Sequence, residues 1–373
     1  MNGDGHGDEV LSCTYSPDSQ FILSGGWDGC VRLWDAANGD LVRHYQVSNR
    51  PVTACAIAAD GKHFLSGSLD GLLAHWDFGT GQPAMGIRGD PQTSTFLAHT
   101  RPISHIAYIN DGDSLVTASW DSNLIIWRPK HEGRTLAGHS DIVTGCAMTP
   151  DSRFLLSWSH DKSVRMWDMN LHRQVCEFPG HEDRVLSGAV SPDGHWAITG
   201  GRDGAVFLWD LQARAVKFTT QITDAVNCCC FLLDGQALVI GEATGHLTLV
   251  SVPAFEEICS INIEQQIQCA SRSPSGAQLA VGAGDGRIYL VAVDGFDANP
   301  LLVTVWQSSR RTASAIQKLF GKSTETPTYV GNCPACLAIF EMAVAKSSPQ
   351  LNCPGCKRKL RVAGIAQRLE DSQ

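Results

Sequence analysis

The sequence predicts an all-β fold made of repeated four-stranded units, followed by a small cysteine-rich region. A Trp-containing marker recurs along most of the chain with a period of about 41 residues. Within each period, apolar stretches of strand length alternate with Asp-Gly-type turns, which is the pattern of hairpin-connected strands. Two Cys-x-x-Cys pairs near the C terminus set the last part of the chain apart from the repeats.

The repeat marker is a Trp-Asp pair that ends a strand-like segment. Four copies read CVRLWD, LLAHWD, SVRMWD and AVFLWD, and a fifth reads LIIWR. Their tryptophans are 42, 51, 40 and 42 residues apart: Trp34, Trp76, Trp127, Trp167 and Trp209. Val250 and Val291 continue the spacing in two weaker copies, so we count seven units.

These markers at fixed offsets resemble the WD-repeat family of β-propellers over roughly residues 5 to 306. The resemblance implies a seven-bladed ring around a central channel. Because residues 2–7 are not strand-like, we expect the first strand to begin near Val10. The last blade then takes its outer strand from Leu301 to Trp306, so that every blade is contiguous. The ring would close by side-chain packing alone, and we expect that seam to be the weakest.

The chain divides into three parts on this interpretation. Residues 1–306 form the propeller, residues 307–327 a basic polar linker, and residues 328–373 a zinc ribbon with the C-terminal tail. The long interval of 51 residues indicates an insertion of about ten residues, around Arg88 to Leu97, which we expect to be a protruding loop. The linker contains one short amphipathic stretch that could form a helix, Ala313 to Phe320.

Four units bring together a His, a Ser or Thr, an Asp and a Trp, which raises the question of a Ser-His-Asp catalytic triad. An active site is needed once, whereas this set recurs at the repeat period, so we favour a structural role. In the family that the chain resembles, these residues form a hydrogen-bonded relay inside each blade and satisfy buried polar groups. The four sets are His6, Ser24, Asp28 and Trp34; His99, Thr117, Asp121 and Trp127; His139, Ser157, Asp161 and Trp167; and His181, Thr199, Asp203 and Trp209.

A tryptophan precedes the relay Asp in two turns, GGWDG and ASWDS, although turns are usually polar. The resemblance places these turns on the face of the ring that commonly binds partners. Trp and Arg are frequent at binding hot spots, and a clustered exposed apolar patch usually marks an interface. We therefore predict a protein-binding face that comprises Leu11, Trp27, Leu69, Trp120, Ile142, His160, Arg184, Leu186 and Arg202. The alternative, that each tryptophan packs on its own blade and covers the relay, stays open.

The tail carries CPAC at Cys333 to Cys336 and CPGC at Cys353 to Cys356. Two such pairs at this separation predict one structural zinc ion held by four thiolates, Cys333, Cys336, Cys353 and Cys356. A region this small buries little core, so the metal would supply the folding free energy. The tail resembles zinc ribbons with CPxC knuckles, although Leu337 and Lys357 stand where Gly is frequent. Redox chemistry of the pairs and two separate disulfides are the alternatives.

Charge divides the chain in the same way. Residues 307–373 contain 10 Lys and Arg and 4 Asp and Glu. The rest of the chain contains 19 Lys and Arg and 34 Asp and Glu, and the net charge of the whole chain is −9. A basic ribbon could bind nucleic-acid phosphates, an acidic protein or its own propeller. One aromatic residue, Phe340, lies between the two knuckles, which gives base stacking little support.

The remaining observations limit the possible functions. The chain contains no run of about 18 apolar residues and no secretory signal at its start, and most of its 14 cysteines lie in strand-like segments. These features favour a protein of the reducing cytosol without a membrane partner. We predict a cytoplasmic, non-enzymatic scaffold that binds a protein partner and takes no small-molecule substrate. The alternative is a nucleic-acid-associated adaptor that uses the basic ribbon.

Overall fold

Seven four-stranded antiparallel sheets form the blades of a β-propeller, as the sequence predicts. The computed structural model describes residues 5–84, 94–109, 114–128, 133–276, 278–294 and 302–307, together with four short strands between 328 and 360. Within the described residues, no helix is long and apolar enough to cross a membrane.

Each blade is four consecutive strands in chain order, from the channel to the rim. The first three blades contain β1 (Val10–Tyr15), β2 (Phe21–Gly26), β3 (Cys30–Asp35), β4 (Leu41–Gln46), β5 (Val52–Ile57), β6 (His63–Ser68), β7 (Leu72–Asp77), β8 (Thr95–Leu97), β9 (Ile103–Tyr108), β10 (Leu115–Ser119), β11 (Asn123–Trp127) and β12 (Arg134–Ala137). The next two contain β13 (Val143–Met148), β14 (Phe154–Ser159), β15 (Val164–Asp168), β16 (Arg173–Phe178), β17 (Val185–Val190), β18 (Trp196–Gly201), β19 (Ala205–Asp210) and β20 (Ala215–Gln221). The last two contain β21 (Val226–Leu232), a 3₁₀ turn (Leu233–Gly235), β22 (Ala237–Glu242), β23 (His246–Ser251), β24 (Glu257–Asn262), β25 (Ile267–Arg272), β26 (Gln278–Ala283), β27 (Ile288–Asp294) and β28 (Leu302–Gln307).

The burial of the strands follows their place in the blade. The second strand of each blade is almost fully buried, because both of its faces pack against neighbouring blades; β6, with the sequence HFLSGS, is typical. Outer strands such as β4 alternate between buried and exposed side chains and form the rim. The innermost strands contact one another in sequence around the ring, and β1 contacts β25 to complete it.

The turn between the second and third strands of a blade requires an unusual backbone conformation. In the first blade Gly29 has a φ of 74°. A Cβ atom at this position would collide with the backbone carbonyl oxygen of Ser48, which runs beside the turn. Glycine is therefore needed both for the positive φ and for the close approach of the chain. This turn carries the residues of the predicted partner face.

The prediction of a loop from Arg88 to Leu97 is wrong at the C-terminal end of this segment. Thr95–Leu97 form β8, the outer strand of the second blade, with Leu97 opposite Leu72 of β7. A strand is favoured here because the outer edge of β7 would otherwise keep unpaired backbone groups. Phe96 also packs edge-on against Trp127 of the third blade, with ring centroids 5.0 Å apart. Residues 85–93 lie outside the described residues.

The ring closes without an exchanged strand, since the first and last blades are separate sheets. The outer strand of the last blade is β28, which pairs with β27. Val10, Trp34 and other residues of the first blade share a hydrophobic cluster with Ala280, Ile288 and Leu290 of the last. A backbone hydrogen bond of 2.9 Å from His6 N to Gly286 O joins the same two blades.

Two short hairpins are described in the tail. One pairs β29 (Thr328–Asn332) with β30 (Ile339–Ala343), and the other pairs β31 (Leu351–Asn352) with β32 (Lys359–Leu360). The first of these four strands contacts β28 and β24 at the rim of the propeller. The predicted helix from Ala313 to Phe320 lies outside the described residues.

Candidate partner-binding face and the relays behind it

Seven turns, one from each blade, meet the innermost strands at one end of the ring. In every blade the residue that precedes the relay Asp position donates its backbone N–H to a carbonyl at the start of the inner strand, at 2.8 to 3.0 Å. The donor and acceptor pairs are Trp27 and Glu9, Leu69 and Pro51, Trp120 and Pro102, His160 and Ile142, Arg202 and Arg184, Ala243 and Ala225, and Gly284 and Gln266. This repeated bond arranges the seven turns around one mouth of the channel.

Two of these turns expose a tryptophan. Trp27 is 48% exposed and Trp120 is 41% exposed, whereas the marker tryptophans Trp34, Trp167 and Trp209 are at most 2% exposed. Leu69 lies on the blade between them and is partly buried. Three further residues predicted for this face are also partly buried: Leu11, Ile142 and Leu186. The first three blades thus present apolar side chains of which the two indoles are the most accessible.

The fourth and fifth blades give the same face a basic part. Arg184 and Arg202 are exposed. Burial and the positive charge of Arg184, with a smaller contribution from Arg202, lower the pKa of His160 against the opposing effect of Asp141. Arg184, Arg202 and His160 are therefore close enough to interact electrostatically.

Behind the turns, three blades contain an unbroken chain of hydrogen bonds. In the first blade, Trp34 Nε1 donates to Ser24 Oγ at 2.8 Å, Ser24 Oγ lies 2.7 Å from His6 Nε2, and His6 Nδ1 lies 3.0 Å from Asp28 Oδ1. The third blade repeats the chain with Trp127, Thr117, His99 and Asp121, and the fourth with Trp167, Ser157, His139 and Asp161. The carboxylate accepts from Nδ1–H, so Nε2 accepts from the hydroxyl.

The carboxylates of these relays are held in the ionised form. Burial would raise the pKa of Asp121, but the hydrogen bond from His99 and the backbone N–H groups of Asn123 and Thr100 lower it to about 2. The pKa values of Asp28 and Asp161 are lowered further for the same reasons. Each relay is thus anchored by a carboxylate that remains charged at physiological pH.

The fifth blade departs from the expected relay. Trp209 Nε1 and His181 Nε2 both lie 2.8 Å from Thr199 Oγ1, but His181 Nδ1 has no hydrogen-bond partner. Asp203 accepts from the backbone N–H of Ala205 at 3.0 Å, a bond that the carboxylates of the complete relays also make. Phe207 packs edge-on against the His181 ring at 4.5 Å, in the place where the first and fourth blades have an arginine. Burial lowers the pKa of His181 to about 4.

The other three blades satisfy their polar groups in shorter arrangements. In the second, Trp76 Nε1 donates to Ser66 Oγ at 2.9 Å and Ser68 Oγ donates to Asp70. In the sixth, Thr223 donates to the buried Glu242 carboxylate at 3.1 Å. In the seventh, the Tyr289 hydroxyl donates to Asp285 Oδ2 at 2.9 Å.

The relays cannot act as hydrolytic triads in this arrangement. The four hydroxyl residues, Ser24, Thr117, Ser157 and Thr199, are at most 1% exposed. A nucleophile must reach the substrate carbonyl, and a hydroxyl enclosed between Trp and His has no room for one. The geometry supports a structural role for these residues.

Polar contacts between blades form a second set that the sequence interpretation missed. Side chains near the start of an inner strand donate to the carbonyl of the first residue of the next inner strand. Thr144 Oγ1 donates to Val185 O at 2.7 Å and Asn227 Nδ2 donates to Ile267 O at 2.8 Å. Thr53 and Ser104 make the same contact to Ile103 and Val143. The recurrence of a small polar residue at the second position of these strands was a signal that could have revealed them.

The predicted zinc ligands lie outside the described residues. These are Cys333, Cys336, Cys353 and Cys356. Within the part of the chain that the structure describes, no group of three or more His, Cys, Asp or Glu side chains could hold a metal ion. The ten cysteines of the propeller are free thiols.

Comparison with known proteins identifies the repeat. Five segments match the family described as "WD domain, G-beta repeat": residues 2–35, 39–77, 90–128, 131–168 and 172–210. These segments cover about half of the chain, and each ends with the third strand of one of the first five blades. From the second segment on, each also contains the outer strand of the preceding blade. The last two blades, in which Val250 and Val291 replace the marker tryptophan, lie beyond the matched segments.

Individual relatives match parts of the chain. The small ribosomal subunit protein RACK1y of Oryza sativa is 39% identical over 169 residues, which are 44% of this chain and 49% of that protein. The nuclear distribution protein PAC1 of Arthroderma otae is 27% identical over 176 residues, 44% of this chain and 37% of that protein. The probable cytosolic iron-sulfur protein assembly protein CIAO1 homolog of Caenorhabditis elegans is 31% identical over 94 residues, 24% of this chain and 28% of that protein. The matches span less than half the length of each of these relatives.

Proposed function

This chain belongs to the WD-repeat family of β-propellers, and we propose that it is a cytoplasmic, non-enzymatic scaffold that binds a protein partner on the turn-bearing face. The relatives are named for a ribosomal subunit, nuclear distribution and iron-sulfur protein assembly, so the family match alone selects no partner. The free thiols of the propeller agree with a reducing compartment.

The exposure of Trp27 and Trp120 at equivalent turns is the observation that carries the proposal. A buried apolar anchor contributes most to binding when it is accessible in the free protein and becomes fully desolvated in the complex. Both indoles are accessible in the free chain, and the remaining half or so of each residue is covered by the ring. Packing on the ring limits the rotamer entropy that each indole loses on binding.

The same face suggests the chemistry of the partner. Its apolar part lies on the first three blades, and its basic part, with Arg184 and Arg202, lies on the fourth and fifth. A partner segment that crosses the channel mouth would contact both parts. We propose that it carries apolar side chains toward the tryptophans and an acidic group toward the arginines.

Alanine substitutions test this proposal. Trp27→Ala and Trp120→Ala should each weaken partner binding by about 2 kcal/mol or more, as truncation of a central anchor does. Proteins captured from the native cell by the unmodified chain should therefore be depleted on both variants. The melting temperature should stay nearly constant, because the exposed side chains contribute little to the core.

Leu171→Ala and Val216→Ala are matched controls, since both residues are exposed apolar side chains away from the turn-bearing face. They should leave the captured proteins unchanged. Unchanged capture by the tryptophan variants, with a large loss of stability, would show instead that the indoles are packing residues. Hydrolytic turnover that requires one Ser-His-Asp set would contradict the non-enzymatic role.

We propose that the tail is a second contact module built on one zinc ion. Both Cys-x-x-Cys motifs stand at equivalent places: each begins directly after one strand of a hairpin, after Asn332 in one and Asn352 in the other. The partner strands resume at Ile339 and Lys359, so six residues join the strands in each hairpin. Paired hairpins that each supply two thiolates are suited to a closed tetrahedral zinc site.

Elemental analysis tests the zinc proposal. The purified full chain should contain one zinc ion per molecule, and Cys353→Ser should lose it. Cys259→Ser, which alters a buried propeller thiol, is the matched control and should retain the metal. A chain without stoichiometric zinc, or unchanged zinc in Cys353→Ser, would refute the proposed ligand set. Salt-sensitive binding of random oligonucleotides by the tail would favour the nucleic-acid adaptor over a protein contact.

A further inference from the structure

The innermost strands meet in a regular way at the blade junctions. The third residue of one inner strand contacts the fourth residue of the next. Ser12 Oγ lies 3.3 Å from Cys55 Sγ, and Ser187 Oγ lies 3.5 Å from Cys229 Sγ. His105 Nδ1 lies 3.7 Å from Cys146 Sγ. The propeller symmetry thus places a thiol against a polar side chain at several junctions.

At the closing seam the same geometry places a thiol against a thiol. Cys269 is the third residue of β25 and Cys13 is the fourth residue of β1, and their Sγ atoms are 3.4 Å apart. At the other junctions with a described contact of this type, the partner of the cysteine is Ser or His. The only such thiol pair among the described junctions therefore lies where the chain closes on itself.

The inner-strand donor at the seam is also a weak one. At five of the six other junctions a hydroxyl or amide donates to the first carbonyl of the next inner strand, as Ser187 does to Val226 O at 3.0 Å and Thr144 to Val185 O at 2.7 Å. At the seam the corresponding donor is the Cys269 thiol, 3.9 Å from Val10 O. A thiol is a poor hydrogen-bond donor, so this contact adds little to closure.

We propose that Cys13 and Cys269 are an oxidisable pair whose disulfide locks the ring at its seam. The oxidant we assign is a peroxide, and the step balances with hydrogen peroxide. One thiol gives up its proton as its sulfur attacks a peroxide oxygen, which gives a sulfenic acid and releases hydroxide, and that proton converts the hydroxide to water. The second thiol then attacks the sulfenic sulfur, an S–S bond forms, and the hydroxyl leaves as a second water. Two thiols and one peroxide thus yield one disulfide and two waters.

The geometry needs little movement for this step. A disulfide requires its sulfurs to approach to about 2.05 Å from the observed contact, on strands that already pack against each other. In the resting protein the hydrogen bond to Cys13 and burial raise the pKa of the Cys269 thiol well above its usual range. The thiol of Cys269 is therefore protonated at neutral pH, and the pair stays reduced until an oxidant is supplied.

The expected consequence is a covalently closed propeller. The bond would join residues 256 positions apart, which spans nearly the whole ring. Cross-linking positions so distant restricts the unfolded chain strongly and opposes separation of the first and last blades. The disulfide would thus hold the first and last blades together in place of an exchanged strand, which this ring lacks.

Peroxide treatment of the reduced full chain tests the proposal. After the remaining thiols are alkylated, a non-reducing digest should yield a peptide pair linked through Cys13 and Cys269. The melting temperature should rise on oxidation and return to its starting value with dithiothreitol. Peptide mapping distinguishes this bond from oxidation of the tail cysteines. This experiment uses the unmodified chain, so its result does not depend on whether a variant folds.

Three variants complete the test. Cys269→Ser should abolish the peroxide-dependent rise in melting temperature, whereas Cys55→Ser, at the same strand position as Cys13 in another junction, should retain it. Ser12→Cys should create a second oxidisable pair with Cys55, because that junction has the same geometry. Absence of the linked peptides, or a linked pair that leaves the melting temperature unchanged, would overturn the proposal.

Discussion

At the scale of single residues, the same four residue types form a complete chain of hydrogen bonds in some blades and an incomplete one in another. His139 has partners at both ring nitrogens, while His181 has a partner only at Nε2. Asp203 keeps the bond from a backbone N–H that the other relay carboxylates also accept, and Phe207 packs against the His181 ring. Two residues with the same position in the repeat therefore have different energetic roles.

Asp161→Ala and Asp203→Ala measure that difference. Loss of the Asp161 carboxylate leaves His139 Nδ1, the Ser163 hydroxyl and the Ser140 N–H without their acceptor. We expect a loss of about 1–3 kcal/mol in the free energy of unfolding, the cost of unpaired buried groups. Asp203→Ala should cost clearly less, because His181 makes no bond to it. Urea denaturation of both variants checks this, and equal losses would contradict the assignment.

His181 also predicts a dependence of stability on pH. Its pKa is lowered from 6.5 to about 4 in the folded protein, chiefly by burial. Between these values the unfolded chain binds a proton that the folded chain does not, so stability should fall as the pH decreases from 6.5 to 4. Urea midpoints at several pH values should decline less steeply in His181→Gln than in the unmodified chain. Identical slopes would show that His181 does not titrate in this way.

At the scale of elements, the inner strand holds neighbouring blades together as well as lining the channel. Its apolar first residue enters the core between blades, and the polar side chain next to it bonds to the following strand, as Val143 and Thr144 do. The register shift after the first residue of β13 permits this, because it turns two successive side chains to one side of the ladder.

Thr144→Val tests the contribution of one such bond. The substitution keeps the shape of the side chain and removes the hydroxyl that donates to Val185 O and Trp158 O. We expect a loss of about 1 kcal/mol in the free energy of unfolding. Thr14→Val is the matched control, because the Thr14 hydroxyl bonds only to the adjacent Tyr15 carbonyl at 3.5 Å among the described contacts. A similar loss in both variants would mean that the bond between blades contributes nothing specific.

At the scale of the whole molecule, stability depends on seven junctions of which one joins the two ends of the repeat. The junction between the first and last blades has an apolar cluster, a backbone bond from His6 to Gly286 and a bond of 3.3 Å from Ser275 N to Ser19 Oγ, but no shared strand, and its inner-strand donor to Val10 O is a thiol. In a ring of similar blades, opening begins where the free energy of contact is smallest.

Hydrogen exchange under reducing conditions should reveal that order of opening. Backbone amides of β1 and β25 should exchange faster than those of β13 and β17, which flank a junction with the Thr144 bond. Mass spectrometry of peptides from the deuterated chain measures the rates. Equal protection at the two junctions would show that apolar packing alone closes the ring as firmly as the polar links do.

The sequence by itself determined the seven units, the order of strands within each blade and the residue types of the relays. These features are local, because each unit of about 41 residues contains its own turns and its own buried faces. The positions of Trp27 and Trp120 before the relay Asp likewise followed from the repeat alone. Fold prediction therefore succeeded wherever the deciding residues lie within one period.

Only the tertiary structure determined the features that depend on contacts between repeat units. The strand β8 forms because the second blade needs an outer edge and Phe96 reaches Trp127 of the next blade. The pairing of Cys13 with Cys269 joins residues 256 positions apart, and a sequence repeat carries no information on how its ends meet. His181 Nδ1 lacks a partner although its blade contains all four relay residue types, a difference that the repeat pattern does not show. The sequence pattern specifies each unit, whereas packing between units fixes which polar groups find partners.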